Sequence, residues 1–206
     1  MASGRKVSNP LALAVMALLY ERPMHAYEMV SLMRERRKHE SVRLKYSSLY
    51  SVVGALEREA LISRLETSRE GRRPERTIYE LTGAGRAEFL TWLRELLGEP
   101  AKEYPQFAAG LSFLPALPPA EVVDLFQERI RRLEKEVETM RSQMGEVSEQ
   151  GLPRLFLVEH EHELILKEVE LEWVRGLVRE IRAGTLGGMQ EWQSFHLAHS
   201  TEEDNE

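Results

Sequence analysis

Apolar residues repeat at alternating steps of four and three along the C-terminal half of the chain, and this seam constrains the fold more than any other feature. A 4-3 spacing is the heptad pattern of helices that pack along their whole length. A helix over about residues 120–150 would extend about 45 Å, which is longer than one small domain needs. The seam consists of Phe126, Ile130, Leu133, Val137, Met140, Met144 and Val147.

A second long helix is predicted over residues 154–183, after Gly151 and Pro153, with Gly184 as its C-cap. Its apolar residues recur every seven positions, so it could pack on the seam within one chain. The seam could equally pair with a second copy of the chain, and both arrangements stay open. The candidate dimerisation residues are Phe126, Ile130, Leu133, Val137, Met140, Met144, Leu164, Leu171, Val174 and Val178.

The N-terminal half reads as three helices, a strand, a long turn, a second strand and a fourth helix. Asn9 is a plausible N-cap of the first helix, and Thr82 of the fourth. A two-stranded ribbon is marginal alone and must pack on the helices, which gives a winged helix-turn-helix. We therefore predict a mainly α chain, with a winged helix-turn-helix domain at 1–97, a linker at 98–119, a helical or coiled-coil dimerisation domain at 120–184 and a loose acidic tail at 185–206.

The formal net charge of -6 hides an asymmetry between the two halves. Residues 1–97 contain 17 Lys and Arg against 12 Glu, whereas the rest contains 11 basic and 22 acidic residues. A basic module joined to an acidic one suggests two different partners. The absence of cysteine suits a reducing cytosol and excludes a disulfide framework.

The basic module carries the residue types that bind DNA. In a helix-turn-helix pair, the N-terminal residues of the second helix reach base edges in the major groove, and a basic turn adds salt-sensitive phosphate contacts. Ordinary polar caps and a solvated hairpin tip would give similar patterns. The candidate DNA-binding residues are Arg43, Lys45, Tyr46, Ser47, Ser48, Tyr50 and Ser51 at the helix, and Arg69, Arg72, Arg73 and Arg76 around the turn.

Other patterns are weaker. His160 and His162 lie two apart on different helix faces, whereas paired helical zinc ligands are usually four apart, so we expect no metal site and no cofactor. We also find no catalytic constellation and expect no membrane span, because the apolar run at 11–20 is too short. Aromatic residues near the domain junction could line an effector pocket, although core packing explains them more simply. They are Trp92, Tyr104, Phe107, Phe113 and Trp173.

Four segments together resemble the PadR family of transcriptional regulators. The match lies in LLYERPMHAYEMVSLM before and within the second helix, YSSLYSVVGALEREALI at the third helix, GRRPERTIYELTGAGR at the ribbon and FLVEHEHELILKEVELEWVRGLVREIRAG near the C-terminus. The resemblance implies a cytoplasmic homodimeric repressor that binds a palindromic operator in double-stranded DNA. It also implies release by a small aromatic effector that changes the spacing of the two winged domains.

The sequence departs from the family pattern at three positions. Ser47 and Ala60 stand where the family often or usually has Gly, and Ser51 where it often has Pro. Because alanine is disfavoured in the left-handed conformation, we expect the exit from the third helix to differ here. A winged domain that serves as a protein-interaction module is the alternative function, and an enzyme is the least favoured class.

Overall fold

The computed structural model describes residues 7–36, 38, 46–68 and 76–203, in two compact units, Met1–Glu103 and Tyr104–Glu206. We call these the N-terminal and the C-terminal unit. The N-terminal elements are α1 Pro10–Glu21, β1 Met24–His25, α2 Ala26–Glu35, α3 Tyr46–Arg58, β2 Ile62–Ser68, β3 Arg76–Leu81 and α4 Gly83–Gly98. The C-terminal elements are α5 Gln106–Ser112, α6 Pro119–Glu149, α7 Val158–Ala183 and α8 Met189–Glu203, with 3-10 turns at Leu114–Ala116 and Arg154–Phe156.

Side-chain caps begin two of the N-terminal helices at the predicted residues. The Asn9 side chain accepts a hydrogen bond from the Leu11 amide at 2.9 Å, and the Thr82 hydroxyl accepts one from the Gly85 amide at 3.0 Å. Each bond satisfies an amide that has no partner within its helix. Helix α3 begins at Tyr46, so Ser47 lies in its first turn.

The predicted two-stranded ribbon is present and gains a third, short strand. Strands β2 and β3 pair in antiparallel fashion, and β1 pairs with the other edge of β3, giving the order β1-β3-β2. His25 belongs to this short strand and immediately precedes α2. It is extended and pairs with Ile78, and its Nδ1 lies 3.1 Å from the Thr77 carbonyl oxygen. This extra strand fixes the start of α2 against the ribbon.

One apolar core joins all four helices of the N-terminal unit to the base of the ribbon. Met16, Met29, Leu49 and Leu56 are among its fully buried side chains. The inner face of α3 supplies Leu49, Val52, Val53 and Leu56, at helical three- and four-residue steps. Because this inner face is buried, the opposite face of α3 is directed toward solvent.

Ala60 corrects the expectation that the exit from α3 differs from the glycine-containing pattern. It has a φ of 53°, in the left-handed region. The backbone thus keeps the conformation that favours glycine, although an alanine stands there. The next residue, Leu61, donates its amide to the Leu56 carbonyl at 2.9 Å, a bond that ends the helix in the manner of a left-handed C-cap.

The C-terminal unit is built on an antiparallel pair of long helices. Val174, Val178 and Ile181 of α7 share a buried cluster with Val122, Val123 and Phe126 of α6. Ion pairs flank the packed faces, including Arg129–Glu170 and Lys167–Glu136. Glu136 raises the pKa of Lys167 by hydrogen bonding to its ammonium group. The heptad seam therefore packs at least in part within one chain.

Two segments that the sequence analysis treated as connectors are folded. Helix α5 and the following 3-10 turn lie inside the predicted linker, and Phe107, Leu111 and Leu114 pack on the core of the C-terminal unit. Helix α8 lies inside the predicted loose tail. Trp192 is 8% exposed in the same core, and its Nε1 donates to the Leu117 carbonyl at 2.8 Å. Burial of Met189 and Trp192 stabilises this segment as a docked helix, although its composition is acidic.

Candidate nucleic-acid interface

The outward face of α3 is small and polar. Ser51 and Arg58 are exposed, Tyr50 is 56% exposed and Ser48 is half-buried. The Arg58 Nε donates to the Gly54 carbonyl at 3.2 Å, which holds a cation beside the last turns of the helix. Arg58 was missed by sequence analysis, which looked only at the helix start. A helix with this face could enter a groove without burying an apolar residue there.

An open groove of about 450 Å³ lies between the start of α1 and one side of α3. Among the described residues, hydroxyl, amide and small apolar groups line it, without a charged side chain. A groove of this kind beside a recognition helix could seat part of a DNA backbone, because hydroxyl groups suit phosphate oxygens. The lining residues are Val7, Ser8, Asn9, Ser48, Ser51, Val52 and Ala55.

Helix α2 packs against α3 and places a second tyrosine on the surface. Tyr27, in the first turn of α2, is 66% exposed. Two ion pairs tie α2 to α1, between Arg22 and Glu28 and between Arg36 and Glu21. Each arginine hydrogen-bonds its carboxylate and so lowers the pKa of that glutamate. The helix-turn-helix pair is thus braced from outside its apolar core, and Tyr27 is a candidate contact that the sequence did not single out.

The base of the wing is fixed to α3. An ion pair joins the Arg64 Nε of β2 to the Glu57 Oε1 of α3 at 2.6 Å, and hydrogen bonding to Glu57 raises the pKa of Arg64. A bulge between Arg64 and Glu66 inserts Leu65, which is 56% exposed. Bulges bend a strand and increase its twist, so this one helps to direct the wing.

The structure places only part of the predicted DNA-binding set. Ser48, Tyr50 and Ser51 lie on α3. Tyr46 and Ser47 contribute to the first turn of that helix, and Arg76 begins β3 opposite Ser68. The remaining predicted residues lie outside the described part of the chain, so their role stays a prediction. They are Arg43, Lys45, Arg69, Arg72 and Arg73.

The aromatic residues predicted for an effector pocket do not share one environment. Trp92 is buried in the core of the N-terminal unit, and Tyr104 is 82% exposed. Within the C-terminal unit, Phe107 meets Trp173 edge-on at 6.3 Å between ring centroids. The Arg129 guanidinium lies 3.5 Å from the centroid of the Phe107 ring. Only Phe107 and Trp173 of the predicted set are therefore brought together, beside a cation. Phe113, which was also considered, is 75% exposed.

Most of the predicted dimerisation residues pack inside one chain. Phe126, Leu133, Val137, Leu171, Val174 and Val178 are buried, and Ile130, Met140, Met144 and Leu164 are half-buried. The intramolecular arrangement left open by the sequence is thus present. A part for these residues in dimerisation stays a prediction.

The two histidines of the predicted α7 segment are on different faces, as their spacing requires. His160 is half-buried and His162 is exposed. Within the described residues, no group of three or more Asp, Glu, Cys or His could hold a metal ion. The helices over the same residues are too short or too polar for any of them to cross a membrane.

Comparison with known proteins shows a family likeness in the N-terminal unit and a fold likeness over most of the chain. The sequence model of the transcriptional regulator PadR-like family matches residues 15–91, and a search of curated proteins returns no match. Bacillus subtilis PadR in complex with operator DNA is 20% identical, with a TM-score of 0.66 over 85% of this chain and 99% of that chain. The same protein in complex with p-coumaric acid gives 19% identity and a TM-score of 0.67, over 84% and 98% of the two chains. The Vibrio cholerae virulence activator AphA gives 14% and 0.63, over 84% and 98%.

At these identities the structural likeness shows the fold, a winged helix-turn-helix followed by a helical unit. Over residues 15–91, the N-terminal unit is similar to the PadR-like family of transcriptional regulators. The family that matches residues 15–91 is one of transcriptional regulators.

Proposed function

We propose that this protein is a sequence-specific DNA-binding transcriptional repressor that acts as a homodimer on a palindromic operator. One observation carries the proposal, which is the small polar outward face of α3 set beside a wing fixed to it by the Arg64–Glu57 ion pair. In this geometry α3 enters the major groove and reads base edges, while the wing contacts the DNA backbone or the minor groove. A protein of the same fold has been solved in complex with operator DNA, which supports DNA binding by this chain.

Phosphate contacts would flank the recognition helix on both sides. Tyr27 of α2 and Tyr50 of α3 present hydroxyl groups at exposed positions, and Ser48 faces the groove beside α1. Such contacts fix the register of a protein on the duplex but carry no sequence information. Base readout is then left to Ser47, Ser51 and the cation of Arg58.

Selection of bound DNA from a random pool tests the proposal. The full chain should enrich a sequence with inverted half-sites whose centres lie about one helical turn apart or a multiple of it. Labelled duplexes of the selected sequence and of a scrambled one then give the specificity ratio at fixed salt. Enrichment of no common sequence at moderate salt would contradict the proposal.

Neutralising the wing separates the proposal from its alternative, a winged module that binds only protein. We expect Arg72→Ala with Arg73→Ala to weaken operator binding and to reduce the salt slope by up to about two units per winged domain. A matched control, Arg154→Ala with Arg179→Ala, removes two exposed arginines from the C-terminal unit and should change neither. An unchanged affinity and salt slope in the wing variant would favour the protein-binding module.

We place the dimer contact on the outer face of α7. Four apolar side chains there are about half exposed or more, although each is large enough to be buried in a core. Ile165 and Val169 lie on the side opposite to the residues that pack on α6. Leu166 and Trp173 lie beside them, and Trp173 also meets Phe107. Contiguous exposed apolar patches of this kind mark interaction surfaces. The residues are Ile165, Leu166, Val169 and Trp173.

A second copy of the chain is the occupant that a palindromic operator requires, because two winged domains must then be held together. Light scattering should show a dimer for the wild type and a monomer for Ile165→Arg with Val169→Arg. Leu125→Arg, at an exposed position of α6, serves as the control and should stay dimeric. A dimer that persists in the double variant would contradict this surface.

We further propose that an aromatic effector releases the DNA. Support comes from the contact of Phe107 with Trp173 beside the Arg129 cation, and from the p-coumaric acid complex of a relative. An aromatic carboxylate would find a ring partner there and would compete with Glu170 for the Arg129 guanidinium. Titration of the protein–operator complex with phenolic acids, followed by anisotropy, tests release, and a reporter gene tests the sign of regulation. Binding of such acids that leaves operator affinity unchanged would contradict an effector role.

A further inference from the structure

Gly54 occupies a position in the middle of α3 where glycine has no use within the chain. The helix spans Tyr46–Arg58, so both neighbouring turns are helical. Glycine is the least favourable helix-interior residue after proline, because it loses the most backbone freedom on folding. An alanine here would make the helix more stable, unless something excludes it.

Nothing among the described residues excludes it. A Cβ placed on Gly54 would meet no atom of theirs within 4 Å. Its φ is not positive either, since the positive-φ glycines of the described residues are Gly151, Gly184 and Gly188. Neither crowding nor backbone conformation therefore explains the glycine.

The position of Gly54 on the helix supplies the missing reason. It lies three residues after Ser51 and four before Arg58, on the outward face opposite the buried Leu49 and Leu56. The Arg58 guanidinium is hydrogen-bonded to the Gly54 carbonyl, so a positive charge is held directly beside the bare stretch of backbone. The combination of an absent side chain and an adjacent cation fits a polyanion that approaches the helix backbone closely.

We propose that Gly54 is the point of closest approach between the recognition helix and the operator, where a Cβ would keep base edges or a phosphate away. Arg58 then contacts the same strand of DNA from the next turn. The inference rests on the proposed function and adds to it a specificity-determining position that carries no side chain. The inference predicts that a substitution at Gly54 that stabilises the helix will weaken operator binding.

Gly54→Ala and Gly54→Leu test the inference in the full-length protein. Both should raise Tm, by about 2–4 °C for a chain of this size. Both should also weaken binding of the selected operator, by about tenfold or more for alanine and further for leucine. Binding of scrambled DNA should change less, because it does not require the closest approach. Gly145→Ala, at another helical glycine with open space around it, should raise Tm and leave operator binding unchanged.

Each outcome separates the inference from the function on which it rests. If the wild type selects no sequence, the proposed function fails. If the wild type selects an operator and Gly54→Ala binds it as tightly while Tm rises, only the inference is overturned. A variant that loses both stability and binding also overturns it, since the glycine would then be structural. Arg58→Ala should reduce the preference for the selected operator over scrambled DNA, and an unchanged preference would remove Arg58 from the contact.

Discussion

Gly85, in the first turn of α4, lies directly against the carbonyl group of Leu61, which follows α3. A Cβ on Gly85 would lie 1.9 Å from the Leu61 oxygen. The same oxygen accepts hydrogen bonds from the Thr82 amide at 3.1 Å and from the Thr82 hydroxyl at 3.0 Å. The Thr82 hydroxyl lies 2.8 Å from the Ala60 carbonyl oxygen as well. The two ends of the wing are therefore joined at its base, immediately after the recognition helix.

Gly85→Ala should destabilise the N-terminal unit by about 1–3 kcal/mol or more, because the new methyl group overlaps backbone that cannot move without breaking the Thr82 bonds. Chemical denaturation followed by circular dichroism measures the change. Gly83→Ala is the matched control in the same turn of α4, since a Cβ there meets nothing within 4 Å. Equal stability of the two variants would show that the contact at Leu61 is not tight.

Ala60→Gly should stabilise the protein. The left-handed conformation costs an alanine about 1–2 kcal/mol, and Ala60 has a φ of 53°. Glycine removes this cost. It also increases the conformational entropy of the unfolded chain, which lowers the free energy of unfolding by about 0.4–1 kcal/mol. The net gain is expected to be about 1 kcal/mol or less in the free energy of unfolding.

The same replacement at an ordinary helical position should have the opposite sign. Ala55→Gly, within α3, is expected to lower the free energy of unfolding by about 0.5–1 kcal/mol. A loss of stability in both variants would indicate that Ala60 is not held in the left-handed region in solution.

The ion pair between Glu21 and Arg36 should give stability that depends on pH. Hydrogen bonding from Arg36 lowers the Glu21 pKa below its ordinary value of 4.5. A lowered carboxyl pKa means that the stabilisation is fully present above pH 4.5 and is lost as pH falls through the lowered value. Because the pair is exposed, its worth at neutral pH is below about 1 kcal/mol.

Comparing the free energy of unfolding of Glu21→Gln with that of the wild type at neutral and at acid pH measures the contribution of this ion pair. The variant should be less stable at neutral pH, and the difference should vanish in acid. Glu99→Gln, beyond the end of α4, serves as the control. A difference between wild type and Glu21→Gln that is independent of pH would assign the effect to something other than the charge.

Local sequence signals predicted most of the helices and strands of this chain. Features that depend on packing between distant residues could not be predicted from the sequence. Asn9 and Thr82 allow the starts of α1 and α4 to be predicted, because a capping hydrogen bond acts within about three residues. The strand at Met24–His25 has no such signal, since it forms only when β3 arrives from more than fifty residues away. The outward face of α3 follows from the inner apolar repeat, but the lack of any atom near Gly54 can be seen only in the folded chain. Composition alone likewise gave no indication that the acidic tail contains a docked helix.

Helix α8 should detach when Trp192 is replaced by alanine. Within the described side chains of this helix, Trp192 and Met189 are the buried ones, and the indole also donates a hydrogen bond to the Leu117 carbonyl. Removing a buried tryptophan side chain costs about 3–5 kcal/mol in a core. We expect this loss to exceed what Met189 and the contact of the His196 Nε2 with the Pro115 carbonyl oxygen can offset. Hydrogen exchange should therefore accelerate across residues 189–197 and at the 3-10 turn Leu114–Ala116.

Trp192→Phe keeps a buried ring and loses only the donor, so it should cost about 1 kcal/mol and leave α8 docked. Leu197→Ala, at a 71% exposed position of the same helix, should change the exchange rates little, and equal acceleration in all three variants would show that Trp192 does not hold the helix in place.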